Sequence, residues 1–236
     1  MRFLPKNKQW YNPQMRYQKH KKHFETAYKT GTDVWTHAPS PKQVAKLTDK
    51  LQKGGLILEL GSGRGLFTKH LAQVGFKLIG LDFEGNIVKK ANKNIKDWGL
   101  QGKVKFMEGD ALDIPLADAS FDGVCDFGLF ENLYKEDWPK YANEVNRVLK
   151  PGGYYLNVSL SNKTQSFFEF NPSAGSEREF EKHEMHYYFF EGEEIKNIFK
   201  NHFRVVSQEI KPAEAPREVN KVTLVETLFQ KFPKKL

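Results

Sequence analysis

Three glycines at alternate positions, Gly61, Gly63 and Gly65, follow the run Leu56–Leu60, in which Glu59 is the one charged residue. Glycine lets a chain turn sharply and lets a ligand touch bare backbone. Asp82 comes about 20 residues after the loop, at the end of the next apolar run; a carboxylate at that place hydrogen-bonds a ribose diol. Two ligand classes compete for such a loop. A dinucleotide needs G-x-G-x-x-G, so that its pyrophosphate rests on a helix N-terminus. Here the sixth position is Leu66, and Glu59 would repel a pyrophosphate. An acid in that place suits a ligand with a positive centre and an amino group.

These residues need a strand before the loop, a helix after it and a second strand ending at Asp82. The pattern supplies them. "SPKQVAKLTDKLQKGG" reads as a helix with Ser40 as N-cap, Pro41 at the first helical position and Gly54 as its end. Short apolar strands are expected at Leu56–Leu60, Phe76–Leu81, Val104–Met107, Phe121–Phe127 and Tyr154–Leu160, the last entered by a tight turn at "KPGG". Helices are expected over Leu66–Val74, 84–97 and 136–149. Strands of this length alternating with helices give a doubly wound, mainly parallel sheet, covered on both faces and so apolar throughout. A helix near 191–201 and the strands "FRVVSQEI" and "KVTLVETLF" complete seven strands with an antiparallel C-terminal hairpin at the sheet edge. The expected division is a basic arm or lid over 1–38 and one domain over 39–236. The arm shows no clear period beyond a short helix near 15–28, and 161–190 reads as a substrate-side loop or insertion.

In order and spacing, "ELGSGRG", "LIGLD", "EGDALDIPL", "FDGVCDFGLFENL" and "RVLKPGGYYLNVSL" resemble the class I S-adenosylmethionine-dependent methyltransferases over residues 55–160. The resemblance implies S-adenosyl-L-methionine as cofactor. It puts Glu59, Ser62 and the backbone at Gly61 and Gly63 at the methionine end, Asp82 on the ribose hydroxyls and Phe83 beside the adenine. Asp110 and Ala111 meet the adenine edge, by a carboxylate acceptor and a backbone donor. Asp126 and Phe127 lie near the methionine part and the reacting methyl. Other residues have plainer readings: Gly65 as helix packing, Asp110 as a turn residue, Asp122 as structural, Cys125 as a small buried hydrophobe, Arg64 as a solvated side chain.

The acceptor is less defined. "DFGL" lacks the prolines of the N/D-P-P-Y/F run of enzymes that methylate exocyclic amines of DNA bases, and Cys125 is not placed as a C5-cytosine nucleophile. The run resembles small-molecule methyltransferases, including tellurite- and thiopurine-type enzymes. In "KHEMHYYFF", His183, Glu184 and His186 are candidates for a base or for substrate binding; an ordered loop over the sheet is the alternative. Trp35 and His37 are placed to close over a cofactor or to anchor on the core. No H-E-x-x-H is present and there is one cysteine, so no zinc is expected.

The chain of 236 residues carries a formal charge of +8, and residues 1–24 hold seven Lys/Arg with no Asp or Glu. Interleaved with Trp10, Tyr11, Tyr17 and Phe24, they leave a second reading open, in which the arm holds single-stranded nucleic acid by charge and stacking and the substrate is RNA or protein. A non-enzymatic cofactor-binding module and a nicotinamide dehydrogenase are disfavoured by the intact acids and the glycine spacing. No apolar run reaches the roughly 20 residues of a membrane span, and with no signal-like N-terminus the expected location is cytoplasmic. Nothing in the sequence sets the oligomeric state.

Overall fold

The architecture is that of a computed structural model, in which residues 13–33, 40–168, 170–172, 178–213 and 221–233 are described. The helices are α1 (Pro13–Thr30), α2 (Pro41–Thr48), α3 (Leu66–Gln73), α4 (Gly85–Asp97), α5 (Trp138–Val148) and α6 (Gly192–Phe199). The strands are β1 (Leu56–Leu60), β2 (Lys77–Asp82), β3 (Val104–Glu108), β4 (Phe121–Phe127), β5 (Leu149–Leu160), β6 (Glu179–Lys182), β7 (Met185–Tyr188), β8 (Phe203–Pro212) and β9 (Thr223–Lys231). Seven of them form one sheet in the order β3-β2-β1-β4-β5-β9-β8, and β6 pairs with β7 separately. The pairs from β3 through β5 are parallel, and β9 is antiparallel to both its neighbours. This is the doubly wound sheet with an antiparallel end; β9 lies inside it and β8 forms the edge.

Strand alternation divides the core. Leu58 and Leu60 of β1 face α5 and α6, with Tyr141, Val145, Ile195 and Phe199. Ile57 faces the other way, toward α2, α3 and α4, with Val44, Leu47, Leu71 and Val88. Both faces are covered, which is why the central strands carry few polar residues.

Several boundaries differ from the sequence reading. The helix from Ser40 has the expected cap, with Ser40 and Gln43 forming a reciprocal capping box, but ends at Thr48 rather than Gly54. "KPGG" is not a turn ahead of the strand. Leu149 already pairs with Phe121, the register then slips, and pairing resumes at Gly123↔Tyr154. Gly152, at φ +77°, takes up the slip. The N-terminal helix is α1, longer than expected, and 161–190 contains the β6–β7 hairpin. Trp10, Tyr11, Trp35 and His37 lie outside the described residues.

Candidate functional site

A cavity of about 450 Å³ lies at the carboxyl ends of β1, β2 and β4, beneath α1. Of the expected binding residues, Gly61, Asp82, Phe83, Asp110, Ala111 and Phe127 line it. Crevices at the strand ends of such sheets are where ligands bind.

Asp82 organises the floor. Its Oδ2 accepts the Gly63 N–H at 2.8 Å, and its Oδ1 accepts the Glu84 N–H at 2.9 Å. One carboxylate thus ties the glycine loop to the end of β2, and each oxygen keeps a further lone pair for a ligand. Burial pushes its pKa up to about 6, against the two N–H donors that favour the charge. Gly61 and Gly63 have φ of +70° and +50°. A Cβ on Gly61 would lie 2.8 Å from Leu129, and one on Gly63 2.8 Å from the Tyr28 hydroxyl, so the loop is closed in from both sides. Gly65 serves packing: a Cβ there would run into the Phe106 ring. Asp110 is both wall and turn, its Oδ1 accepting the Leu112 N–H at 2.8 Å.

Glu59, Ser62, Gly63 and Asp126 are not on the cavity wall. Glu59 points toward α3, where the Thr68 hydroxyl donates to it, and burial pushes its pKa up to about 8. Asp126 turns its carboxylate to the opposite face, against the expectation that it reaches the cavity. It accepts from Tyr141 Oη at 2.8 Å and Tyr155 Oη at 2.5 Å and is fully buried. The physical reason is strand alternation: Cys125 and Phe127 share one face of β4 and Asp126 takes the other. Asp122 accepts from the Leu56 N–H and Lys150, a structural role, and Cys125 is buried in the core.

The roof is a stripe along α1 (Tyr17, His20, Lys21, Phe24 and Tyr28), and the sequence reading did not resolve it. Its i, i+3/i+4, i+7, i+11 spacing was the available signal. Four anchors hold it. The Tyr17 hydroxyl donates to Asp137 at 2.9 Å and accepts the Tyr134 N–H at 3.1 Å. His20 Nε2 accepts the His186 N–H at 3.1 Å. Lys21 pairs with Glu108 at 3.1 Å. Arg64 is not solvated as expected; it donates to both oxygens of Asp33 and to the Tyr28 carbonyl, in the last turn of α1.

The three candidates of the "KHEMHYYFF" stretch do not line the cavity. His183 and Glu184, at φ +53° and +62°, form the two-residue turn between β6 and β7. The His183 ring stacks on His23, 6.2 Å away. His186 is buried behind the roof, with Nε2 2.9 Å from Glu179. Burial lowers its pKa, and Glu179 opposes that shift. Among the described residues no group of three or more His, Cys, Asp or Glu could hold a metal ion, and no helix is long and apolar enough to cross a membrane.

Residues 58–157 match a family model described as a methyltransferase domain. A demethylmenaquinone methyltransferase of Lactobacillus johnsonii is 40% identical over 136 residues, covering 52% of this chain and 54% of that one. One from Desulfitobacterium hafniense is 30% identical over 131 residues, covering 54% of this chain and 51% of that one. The chain thus spans about half the length of these relatives. Among solved structures, the Burkholderia thailandensis 1,6-didemethyltoxoflavin-N1-methyltransferase, with bound 1,6-didemethyltoxoflavin and S-adenosylhomocysteine, has a TM-score of 0.76 at 20% identity. It covers 97% of this chain and 94% of that one, a likeness of fold. Residues 58–157, which carry the glycine loop and Asp82, thus match a methyltransferase domain, and the whole chain shares the seven-stranded fold of a solved S-adenosylhomocysteine-bound methyltransferase.

Proposed function

We propose that the chain moves a methyl group from S-adenosylmethionine, by in-line displacement, onto a small cyclic molecule. The observation that carries this reading is the roofed cavity: α1 lies across the strand ends, so an acceptor must fit beneath a helix anchored at four points. A volume of about 450 Å³ falls in the range of small-molecule sites. The names of the relatives, demethylmenaquinone methyltransferases, support a quinone-like ring as acceptor.

The residues present fit the cofactor. Asp82 offers free lone pairs at the β2 end, Asp110 and Ala111 stand beside it, and Phe83 supplies an aromatic wall. When bound, S-adenosylmethionine supplies an electrophilic methyl on a sulfonium. The chain's part is alignment and exclusion of water, and alignment alone is worth roughly 7–11 kcal/mol in a bimolecular step. Tyr17, Phe24 and Leu129 line the cavity with apolar surface that would exclude water from it.

The second reading, an RNA or protein substrate held by the basic segment 1–24, keeps Lys19 and Lys22, which are exposed on α1. Tyr17 and Phe24, two of the rings that reading would use for stacking, face the cavity instead. The test is incubation with methyl-labelled S-adenosylmethionine and a cell lysate, then separation by size. Label in the low-mass fraction, absent with Asp82→Ala, is expected; label in RNA or protein overturns the small-molecule reading.

A further inference from the structure

One residue of β7 pins two side chains of the cavity wall, His20 and Asn132. The His186 N–H donates to His20 Nε2 at 3.1 Å, and the His186 carbonyl accepts from Asn132 Nδ2 at 2.7 Å. Both contacts fix chemistry as well as position. A backbone N–H only donates, so His20 Nε2 carries no proton and the neutral ring holds its proton on Nδ1. A carbonyl only accepts, so the Asn132 amide presents its NH₂ to β7 and its Oδ1 elsewhere.

Neither remaining atom has a hydrogen-bond partner among the described residues, and neither is sealed. Among the described residues, the buried side-chain atoms left without a partner are Ser62 Oγ, Glu131 Oε2 and His186 Nδ1. His20 is only 2% exposed and lines the cavity, so the open space at its Nδ1 is the cavity. Asn132 lines the same wall, beside Leu129 and Leu133. The His20 ring is held by stacking on Tyr134 at 5.8 Å and by the edge of Tyr17 at 5.3 Å.

We propose that His20 Nδ1–H and Asn132 Oδ1 form a donor–acceptor pair that selects a cyclic methyl acceptor carrying a lone pair together with an O–H or N–H donor. This deepens the small-molecule reading above and rests on it. The pair reads a polar edge while Leu129, Leu133 and Phe24 supply the apolar walls, the usual build of a specific small-molecule site.

The charge state of His20 agrees with a donor role. Burial, with His186 on β7 and His23 one turn along α1, lowers its pKa to about 4. The other titratable groups at this end are Tyr17, Lys21, Tyr134, Asp137 and Lys140. At neutral pH the ring is uncharged, and its one proton is on the nitrogen that faces the cavity. It donates there and is not a base.

The test uses the full chain labelled with ¹⁵N-histidine, and two probes that are both uncharged at neutral pH, 2-amino-1,4-naphthoquinone and 1,4-naphthoquinone, which differ by one N–H donor group beside a carbonyl. The expected ¹⁵N spectrum shows His20 as the Nδ1–H tautomer with no titration between pH 5.5 and 8. In calorimetry with S-adenosylhomocysteine present, the amino probe is expected to bind about tenfold more tightly than its analogue. His20→Gln, which keeps an acceptor for the His186 N–H, and Asn132→Leu are each expected to reduce that preference to about twofold. An Nε2–H tautomer, equal binding of the two probes, binding of neither, or a preference that survives both substitutions overturns the proposal. S-adenosylhomocysteine binding by the unsubstituted chain is measured separately. Its failure counts against the methyltransferase reading, while the tautomer and the probe preference still judge the pair.

Discussion

Arg64 grips Asp33 by two parallel bonds, Nε to Oδ2 at 2.6 Å and Nη2 to Oδ1 at 2.7 Å, joining the glycine loop to the end of α1. Nη2 also donates to the Tyr28 carbonyl at 3.1 Å, where the negative end of the helix dipole favours a cation. The loop that forms the floor and the helix that forms the roof are therefore one mechanical unit. Asp33 is nearly buried and Arg64 about one-third exposed, so solvent weakens the pair but does not cancel it. A double-mutant cycle with Arg64→Ala and Asp33→Ala, read by urea denaturation, should give a coupling of about 1–2 kcal/mol. Simple additivity of the two losses would show that the contact does not join floor to roof.

Cofactor affinity should depend on the charge of Asp82. Its pKa stands near 6 in the free protein, and hydroxyls donating to the carboxylate favour the charged form. Binding is therefore strongest above pH 6 and weakens as the pH falls, by up to about tenfold per unit. Asp82→Asn should bind S-adenosylhomocysteine weakly and with a flat profile between pH 5 and 8. A variant that keeps the wild-type slope would assign the pH dependence to another group.

Glu59 has a consequence for stability with the opposite sign from an ordinary paired carboxylate. Burial raises its folded pKa from near 4.5 to about 8, and the nearby Asp82 adds to the rise. The folded chain therefore holds a proton that the unfolded chain releases, and stability falls as pH rises through this window. Glu59→Gln removes the titration while keeping an oxygen for the Thr68 hydroxyl. Thermal melts of the cofactor-free proteins should nearly coincide at pH 5. At pH 9 the variant should be more stable by an amount on the order of 4 kcal/mol. Curves that stay parallel across the range would rule out a buried proton at this position.

The floor of the site was legible in the sequence because its signals are local. The Gly61–Gly65 loop, its flanking strand and helix, and Asp82 follow from glycine spacing and apolar runs, and β1, α3 and β2 lie within a residue of expectation. The roof was harder to read. Tyr17, His20, Lys21, Phe24 and Tyr28 face a cavity rather than a core, so the stripe mixes polar and aromatic residues and hides its helical period. Asp126 was misplaced by treating a strand end as one address, whereas successive side chains leave it on opposite faces. Its partners Tyr141 and Tyr155 come from α5 and β5, contacts that no local pattern shows. The slip at Gly152 is likewise a matter of register between β4 and β5, which depends on the partner strand.

His183 and Glu184 test the distinction between a conspicuous motif and a site. Lys182 pairs with Met185, so these two residues alone make the turn, and both have positive φ. Such a turn matches the twist of a hairpin and is best filled by Asn-Gly. Left-handed backbone costs an ordinary residue roughly 1 kcal/mol or more. The native pair regains part of that through the His183 ring, which stacks on His23 and meets the edge of Phe168 at 5.7 Å. Replacing the pair as His183→Asn with Glu184→Gly should therefore raise stability by about 1 kcal/mol, or about 2–4 °C in Tm. Methyl transfer to the low-mass fraction should stay within twofold of the unsubstituted chain, an order-of-magnitude bound, since neither side chain lines the cavity. A loss of more than about tenfold in a variant that melts no lower would return these residues to the chemistry. The hairpin's part would then be more than holding His186 against His20.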